Sequence, residues 1–253
     1  MASTLLLGGS GRLGQSLQRL LPEVIAPPRS QLDLTRPTTI RDALQAYSPR
    51  LVINASGYTD VARAEHERTA CWDINVTGVA NLLQALRRQP CGLLHISTDY
   101  VFDGQVGNYK ESDTPGPPCN YYALTKLVGE QIAATWDECL VIRTSFRDGI
   151  WPHPVAFDDL FTSQDYLDVV APDIALLVSC WGQFSDRILH IATERKSAFE
   201  LARRRRPDVK VGSRCDAKVT LPADISLDIT RWTQLKARLL ASIGKEVSSL
   251  GCA

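Results

Sequence analysis

The chain has 253 residues, 44% of them hydrophobic, enough for one substantial core and a small appended lobe. Lysine plus arginine equals aspartate plus glutamate at 28 each, so there is no electrostatic case for nucleic acid or an anionic membrane as partner. No apolar run approaches the roughly 20 residues of a membrane span. Seven cysteines (71, 91, 119, 139, 180, 215 and 252) are scattered, and no Cys or Cys/His spacing suggests a metal site. They read as reduced thiols of a cytoplasmic protein, and the N-terminus enters a strand pattern directly, without a leader.

Apolar runs alternate with helical patterns from the first residues onward. Thr4–Leu7 reads as a strand and is followed by Gly8-Gly9-Ser10-Gly11-Arg12-Leu13-Gly14. A helix follows over 11–21. Glycines at 8, 11 and 14 permit a tight turn, close approach to a pyrophosphate and close helix–strand packing. The following helix N-terminus offers free N–H groups to phosphates. The next strand candidate is Val24–Ala26, then a helix near 37–47, a strand at Leu51–Asn54 and a helix near 67–88. Strands at Gly92–Ile96 and Cys139–Arg143 flank a helix near 120–135. This alternation predicts an α/β, Rossmann-type doubly wound parallel sheet that binds ligands at the carboxyl ends of its strands. Beyond Phe146 the pattern weakens. Residues 147–163 look irregular, a helix is expected from Asp165 to Val178 and a strand over Arg187–Ala192. Lys196–Arg204 and Asp228–Ile243 complete the helices.

The chemistry concentrates in Ser97-Thr98-Asp99-Tyr100 and Tyr122-Ala123-Leu124-Thr125-Lys126. A ketone accepts hydride readily only if its oxygen is protonated or hydrogen-bonded as charge builds. Tyr122 can supply the proton, and Thr98 can hold the carbonyl oxygen. Lys126 lies at i+4 from Tyr122 on the same helix face, where its ammonium is expected to lower the phenol pKa. Taken alone, Tyr-x-x-x-Lys is more often a surface helix pair; the strand before it and the polar turn strengthen the catalytic reading. Arg29 stands where NAD enzymes place an acid for the ribose hydroxyls, and no Asp or Glu occurs from Ile25 to Leu32. Arg29 therefore suits a 2′-phosphate and favours NADP(H) over NAD(H), or else it is simply solvent-exposed.

These segments together resemble the extended short-chain dehydrogenase/reductase family, in its dTDP-4-dehydrorhamnose-reductase-like, sugar-nucleotide-binding branch. The likeness runs through Gly8–Gly14, Arg29–Leu34, Val52–Thr59, Ile74–Gly78, Ser97–Gly104, Tyr122–Glu130 and Arg143-Thr144-Ser145, in family order. It implies an NADPH-dependent reductase of a keto-sugar nucleotide with Thr98, Tyr122 and Lys126 as catalytic residues. It implies cofactor contacts at Gly8, Ser10, Gly11, Arg12, Leu13, Gly14, Arg29, Asp33, Leu34, Ala55, Ser56, Tyr58 and Asn75, besides Tyr122 and Lys126. Asn75 reads equally well as a buried structural asparagine. Asp99, Tyr100, Ser145 and Trp151 are candidates for substrate contact. The resemblance divides the chain into a dinucleotide-binding unit over 1–146, its sheet completed by 164–193. A small substrate lobe is then formed by 147–163 and 194–253. A homodimer is compatible with it.

Two departures keep other readings open. Sugar-nucleotide dehydratases follow the threonine with aspartate and glutamate; here Tyr100 replaces the glutamate, so the elimination base is missing. After the Arg-Thr-Ser strand the chain reads Phe146-Arg147-Asp148-Gly149-Ile150-Trp151, without the family's Trp/Tyr-Gly turn. The alternatives are a non-catalytic NADP-binding regulatory subunit and an epimerase on the same scaffold. Among the remaining residues, His95 reads as a sheet residue and Arg203–Arg206 as a solvated helix end. Trp151, His153 and Phe157 line a pocket or pack the lobe.

Overall fold

The computed structural model describes residues 3–217 and 221–250, with side chains as far as 244. Cys252, like both chain ends, lies outside the described residues. The first half alternates β1 (Thr4–Leu7), α1 (Arg12–Leu20), α2 (Pro37–Tyr47), β2 (Leu51–Asn54), two short helices α3 (Val61–Ala64) and α4 (Arg68–Trp72), then α5 (Gly78–Leu86). There follow β3 (Gly92–Thr98), α6 (Tyr121–Ala134) and β4 (Cys139–Thr144). The second half contains short strands β5 (Phe146–Arg147), β6 (Val155–Phe157), β7 (Phe161–Thr162) and β8 (Asp165–Tyr166), followed by α7 (Leu167–Ser179) and β9 (Ile188–His190). The last elements are β10 (Lys196–Ser197), α8 (Ala198–Arg203), β11 (Lys210–Gly212) and α9 (Thr230–Leu250).

Five parallel strands form the central sheet in the order β1-β2-β3-β4-β9. Side chains alternate between its faces, as the two-residue period of a strand requires. Leu6, Ile53, Leu94, Ile142 and Leu189 pack under α1, α7 and the Trp232, Leu235 and Leu239 stripe of α9. Leu5, Leu7, Val52, Leu93 and Val141 pack under α2, α5 and α6. Both faces are covered, which is why the strands read as nearly continuous apolar runs.

The expected strand at Val24–Ala26 is reduced to a single parallel bridge between Ile25 and Leu5. Pro27 and Pro28 follow at once and have no N–H to extend the ladder. Even so, the bridge fixes the topology. From β1 the chain goes outward through α1 to Ile25, then returns through α2 to β2 on the other side. That reversal makes the carboxyl end of β1 a switch point, where open α/β sheets form their ligand crevice.

Three further expectations are corrected. The helix near 67–88 is interrupted by a π-helical turn over Asp73–Thr77. The Asn75 amide in that turn accepts from Tyr58 N at 2.8 Å and donates to Tyr58 O at 3.1 Å and Thr125 Oγ1 at 3.0 Å. The segment 147–163 is not uniformly irregular. β5 pairs with β8, β6 with β11 and β7 with β10. The same pairings start the later helices at Leu167 and Ala198 rather than at Asp165 and Lys196. The lobe has its own apolar cluster around Trp151, Tyr166, Leu201 and Val209.

Candidate active site

β1 ends in Gly8, whose φ of +81° only glycine adopts without strain. A Cβ on Gly14 would stand 2.1 Å from the Gly8 carbonyl oxygen, so α1 begins hard against the turn. Gly11 is the N-cap of α1, and no acidic residue occupies the first turn. Its N–H is held by Gly8 O at 2.9 Å, and a Cβ there would meet only that oxygen, at 3.2 Å. The open side of Gly11 faces two connected clefts. One, of about 180 Å³, is lined by Gly8, Ser10 and Gly11 of the turn, by Arg29, Asp33 and Leu34 beyond the Ile25 bridge, and by Ala55 and Ser56 after β2. The second, of about 310 Å³, shares Gly11, Ala55, Ser56 and Gly57, adds Arg12 and Leu13, and reaches Thr98, Tyr100, Tyr122, Lys126 and Ser145. The shared residues make one crevice running across the ends of β1, β2, β3 and β4.

The reactive groups lie at the far end of that crevice. Thr98 ends β3 and caps a 3₁₀ turn over Asp99–Val101, accepting from Tyr100 N at 3.3 Å and donating to Asp99 Oδ1 at 3.0 Å. Asn120 caps α6 by accepting from Ala123 N at 2.8 Å, which starts the helix one residue before Tyr122. The Tyr122 side chain and the Thr98 hydroxyl line the same cleft. The ring of Tyr100 meets that of Tyr122 edge-on, with centroids 6.0 Å apart. Lys126 Nζ donates to the Ile96 carbonyl at 2.7 Å.

Burial dominates the electrostatics. It raises the Tyr122 phenol, with the neighbouring Thr98 hydroxyl opposing and the nearby Asp99 adding to the rise. The expectation that Lys126 would draw the phenol towards neutrality is therefore corrected. Tyr122 is a fully protonated acid at neutral pH, and Lys126 directs its ammonium at Ile96. Burial also pulls Lys126 down to about 8, against the attraction of Glu130. Asp99 is pushed up to about 7 by burial, against the Thr98 hydroxyl bonded to it and the nearby Ser145 hydroxyl.

Other expected residues fall elsewhere. Asn75 spends its amide on Tyr58 and Thr125 and lines neither cleft, so its role is to hold the loop after β2. Tyr58 turns away, donating its hydroxyl to Glu67 at 2.6 Å, while its neighbours Gly57 and Thr59 line the cleft. Trp151 packs in the lobe cluster, with its indole N–H bonded to Val155 O at 3.2 Å and the Arg147 guanidinium stacked 4.1 Å from its ring. Phe146, next to Ser145, instead joins Tyr100 and Tyr122 in lining the cleft. Arg203–Arg206 is more than a solvated helix end. Arg204 bridges Asp165 at 2.6 Å, Arg205 reaches Asp168 and Arg206 donates to the His153 carbonyl at 2.8 Å. His95 is a buried sheet residue bonded to Asn54, as expected.

Sequence reasoning missed Ile74, Thr144, Phe146 and Gln164. The Arg-Thr-Ser segment pointed to Thr144. Gln164 left no local signal, because the pairing of β5 with β8 brings it to Ser145, where its amide donates at 2.9 Å. Beyond Tyr100 a further cavity of about 790 Å³ is lined by Val61, Glu65, Asp103, Asn120, Arg214 and Pro222, among others.

The profile of the RmlD substrate binding domain family matches residues 2–149. The chain belongs to that family. A dTDP-4-dehydrorhamnose reductase of Aggregatibacter actinomycetemcomitans is 37% identical over 183 residues, 69% of this chain and 62% of that protein. The chain spans between about half and 62% of the length of the curated relatives it matches. Among solved structures, a hypothetical dTDP-4-dehydrorhamnose reductase from Sulfolobus tokodaii superposes with a TM-score of 0.79 at 33% identity, covering 92% of this chain and 94% of that one. The Bacillus anthracis dTDP-4-dehydrorhamnose reductase, solved in complex with NADP, has a TM-score of 0.79 at 25% identity, with 92% of each chain covered. Among the described residues, no helix is long and apolar enough to cross a membrane.

The buried lysine has a thermodynamic signature. Lys126 titrates lower in the folded chain, near 8, than its ordinary 10.5. The unfolded chain therefore binds more protons between those values, and stability should rise with pH across that window. Below pH 8 the cost of burying the ammonium is felt in full. Denaturation midpoints of wild type and Lys126→Met, measured from pH 7 to 10.5, should converge as pH rises. A pH-independent difference between them would show that the ammonium is not destabilised by burial.

Proposed function

We propose that this chain is an NADPH-dependent reductase of a keto-sugar nucleotide. One observation carries the reading: a protonated, buried phenol, beside Thr98, lies in the same crevice as a glycine turn at a helix N-terminus. The cradle fits a dinucleotide. The glycine turn lets backbone N–H groups approach a pyrophosphate, and no carboxylate in the first turn of α1 opposes one. When bound, the cofactor supplies hydride from its nicotinamide. Thr98 holds the ketone oxygen, Tyr122 O–H gives it a proton as charge develops, and Lys126 holds a ribose hydroxyl beside the phenol. The 790 Å³ cavity beyond Tyr100, closed on one side by lobe residues Arg214 and Pro222, receives the rest of the substrate.

Arg29 supports the choice of NADPH. It lines the glycine-turn cleft and bonds Asp33 Oδ2 at 3.1 Å, and Arg36 lies 3.7 Å from the same oxygen. Two guanidinium groups against one carboxylate leave positive charge for a 2′-phosphate. Because Arg29 is 68% exposed, solvent screens that attraction, and a preference of roughly several-fold to tenfold is expected. Fluorescence titration should show NADPH binding more tightly than NADH, and Arg29→Ala should erase most of the difference. Equal affinities in wild type would remove the assignment.

The chemistry is tested with Tyr122→Phe, which deletes one oxygen and keeps the ring. Dinucleotide affinity should barely change, while turnover on the cognate keto-sugar nucleotide should fall by about 10²–10⁴-fold. Unchanged turnover would dismiss Tyr122 as the acid. Dinucleotide binding without reduction of any keto-sugar nucleotide would favour the regulatory reading.

A further inference from the structure

Asp99 is a buried acid that the proposed reaction does not use. It is 1% exposed and lines neither the crevice nor the cavity beyond Tyr100, so it meets a ligand only through its neighbours. Its Oδ1 lies 3.0 Å from Thr98 Oγ1, and its Oδ2 has no hydrogen-bond partner. Among the described residues, no lysine, arginine or histidine forms an ion pair with it. An ionised carboxylate with one oxygen bare and no cation beside it is costly to bury. The neutral acid leaves only a carbonyl oxygen unmet.

Thr98 has one hydroxyl proton to give and two lone pairs to accept with. Tyr100 N donates to it at 3.3 Å. With Asp99 ionised, the single threonine proton goes to Asp99 Oδ1, and none is left for a ketone oxygen. With Asp99 protonated, the same bond reverses. The acid donates, the second lone pair of Thr98 accepts, and the threonine proton is free to point into the crevice that Thr98 lines.

We propose that Asp99 is the positioning residue of Thr98: as a neutral acid it donates to Thr98 Oγ1 and so turns the threonine proton towards the ligand. The proposal rests on the reductase reading for its purpose, because a ketone oxygen is what that proton would hold. Its physical content, a protonated Asp99 bonded to Thr98, is a property of the free protein.

The groups that face Asp99 bring no positive charge. Tyr100, on its own turn, is a phenol that burial makes harder to ionise. Tyr122 of α6 is likewise a protonated phenol. Cys119, in the loop before α6, is a thiol whose ionisation burial also opposes. Ser145, after β4, offers a hydroxyl, and Lys126 is engaged at the Ile96 carbonyl. Burial accordingly lifts Asp99 to about 7. As pH rises through that value the Thr98 proton should be withdrawn from the ligand, well before Tyr122 ionises.

The test is infrared spectroscopy of the intact, ligand-free chain as a function of pH. A protonated carboxyl has a carbonyl stretch that a carboxylate lacks. Wild type should show one such band that is absent from Asp99→Asn and disappears as pH rises through about 7. In Thr98→Val the band should survive to higher pH by about one unit, because the carboxylate loses the hydroxyl that stabilises it. No such band at any pH from about 5 to about 9, or a band whose titration ignores Thr98→Val, would overturn the proposal. Turnover with NADPH and dTDP-4-dehydrorhamnose supplies the second readout. The loss of reduction through about pH 7 in wild type should vanish from the profile of Asp99→Asn, whose amide donates but does not titrate. A loss that persists unchanged in Asp99→Asn would belong to another group and overturn the positioning role. No turnover at all, with the band and its dependence on Thr98 present, would count against the reductase reading alone.

Discussion

The Thr98–Tyr122 end of the crevice depends on one buried ion pair. Glu130 and Arg143 meet where water does not reach, with side chains 0% and 2% exposed. Breaking such a pair by removing one partner leaves a bare charge in a low-dielectric interior, typically at a cost of about 3–5 kcal/mol. The pair is accepted there because every oxygen is used: Ser97 and Arg143 saturate the carboxylate, while Arg143 also faces the Phe102 ring at 5.0 Å and His190 Nε2 at 3.5 Å. The consequence is geometric. β3, β4 and α6 are fixed to one another at their carboxyl ends. The hydroxyl of Thr98, the phenol of Tyr122 and the ammonium of Lys126 are therefore preorganised rather than gathered by ligand.

The sheet order supplies the second constraint. The reversal at β1 opens the crevice, and the strands then follow in the order β1, β2, β3 and β4. Each contributes its own chemistry at its end: the glycine turn, Ala55 and Ser56, Thr98, then Thr144 and Ser145. A ligand lying across these ends meets the glycine turn first and the Tyr122 phenol last. Membership of the RmlD substrate binding domain family agrees with that arrangement. The second half of the chain contributes through backbone pairing. β8 lies against β5 and carries Gln164 to the cleft of Thr98 and Tyr122, while the arginines after α8 pin the lobe through Asp165, Asp168 and the His153 carbonyl.

Much of this was legible from the residues. The two-residue and helical periods located the five sheet strands, and the glycine spacing located the turn that only Gly8 and Gly14 can form. Thr98, Tyr122 and Lys126 were found because strand, cap and i+4 spacing agree at one place. What stayed hidden depended on partners distant in sequence. Asn75 and Tyr58 sit next to cleft residues, but Asn75 points into the protein and Tyr58 turns to Glu67, a choice made by the π-turn and by Glu67. Trp151 was drawn into the lobe core by Tyr166 and Leu201, leaving Phe146 to line the cleft. The direction of the Tyr122 shift was missed because it is set by the whole of the surrounding burial, whereas the sequence displays only the nearby lysine. Local patterns carry no record of such contacts.

If this crevice passes hydride from a nicotinamide to the carbonyl carbon of a keto-sugar nucleotide, the transferred atom can be followed. The most direct measurement follows the atom. NADPH deuterated at C4 on either face is incubated with the protein and a panel of keto-sugar nucleotides, and the products are read by mass spectrometry and NMR. One substrate should yield a product that gains a single deuterium at the former carbonyl carbon, delivered from one face of the nicotinamide. Deuterium retained in the cofactor across the panel, in protein shown to bind NADPH, would contradict it.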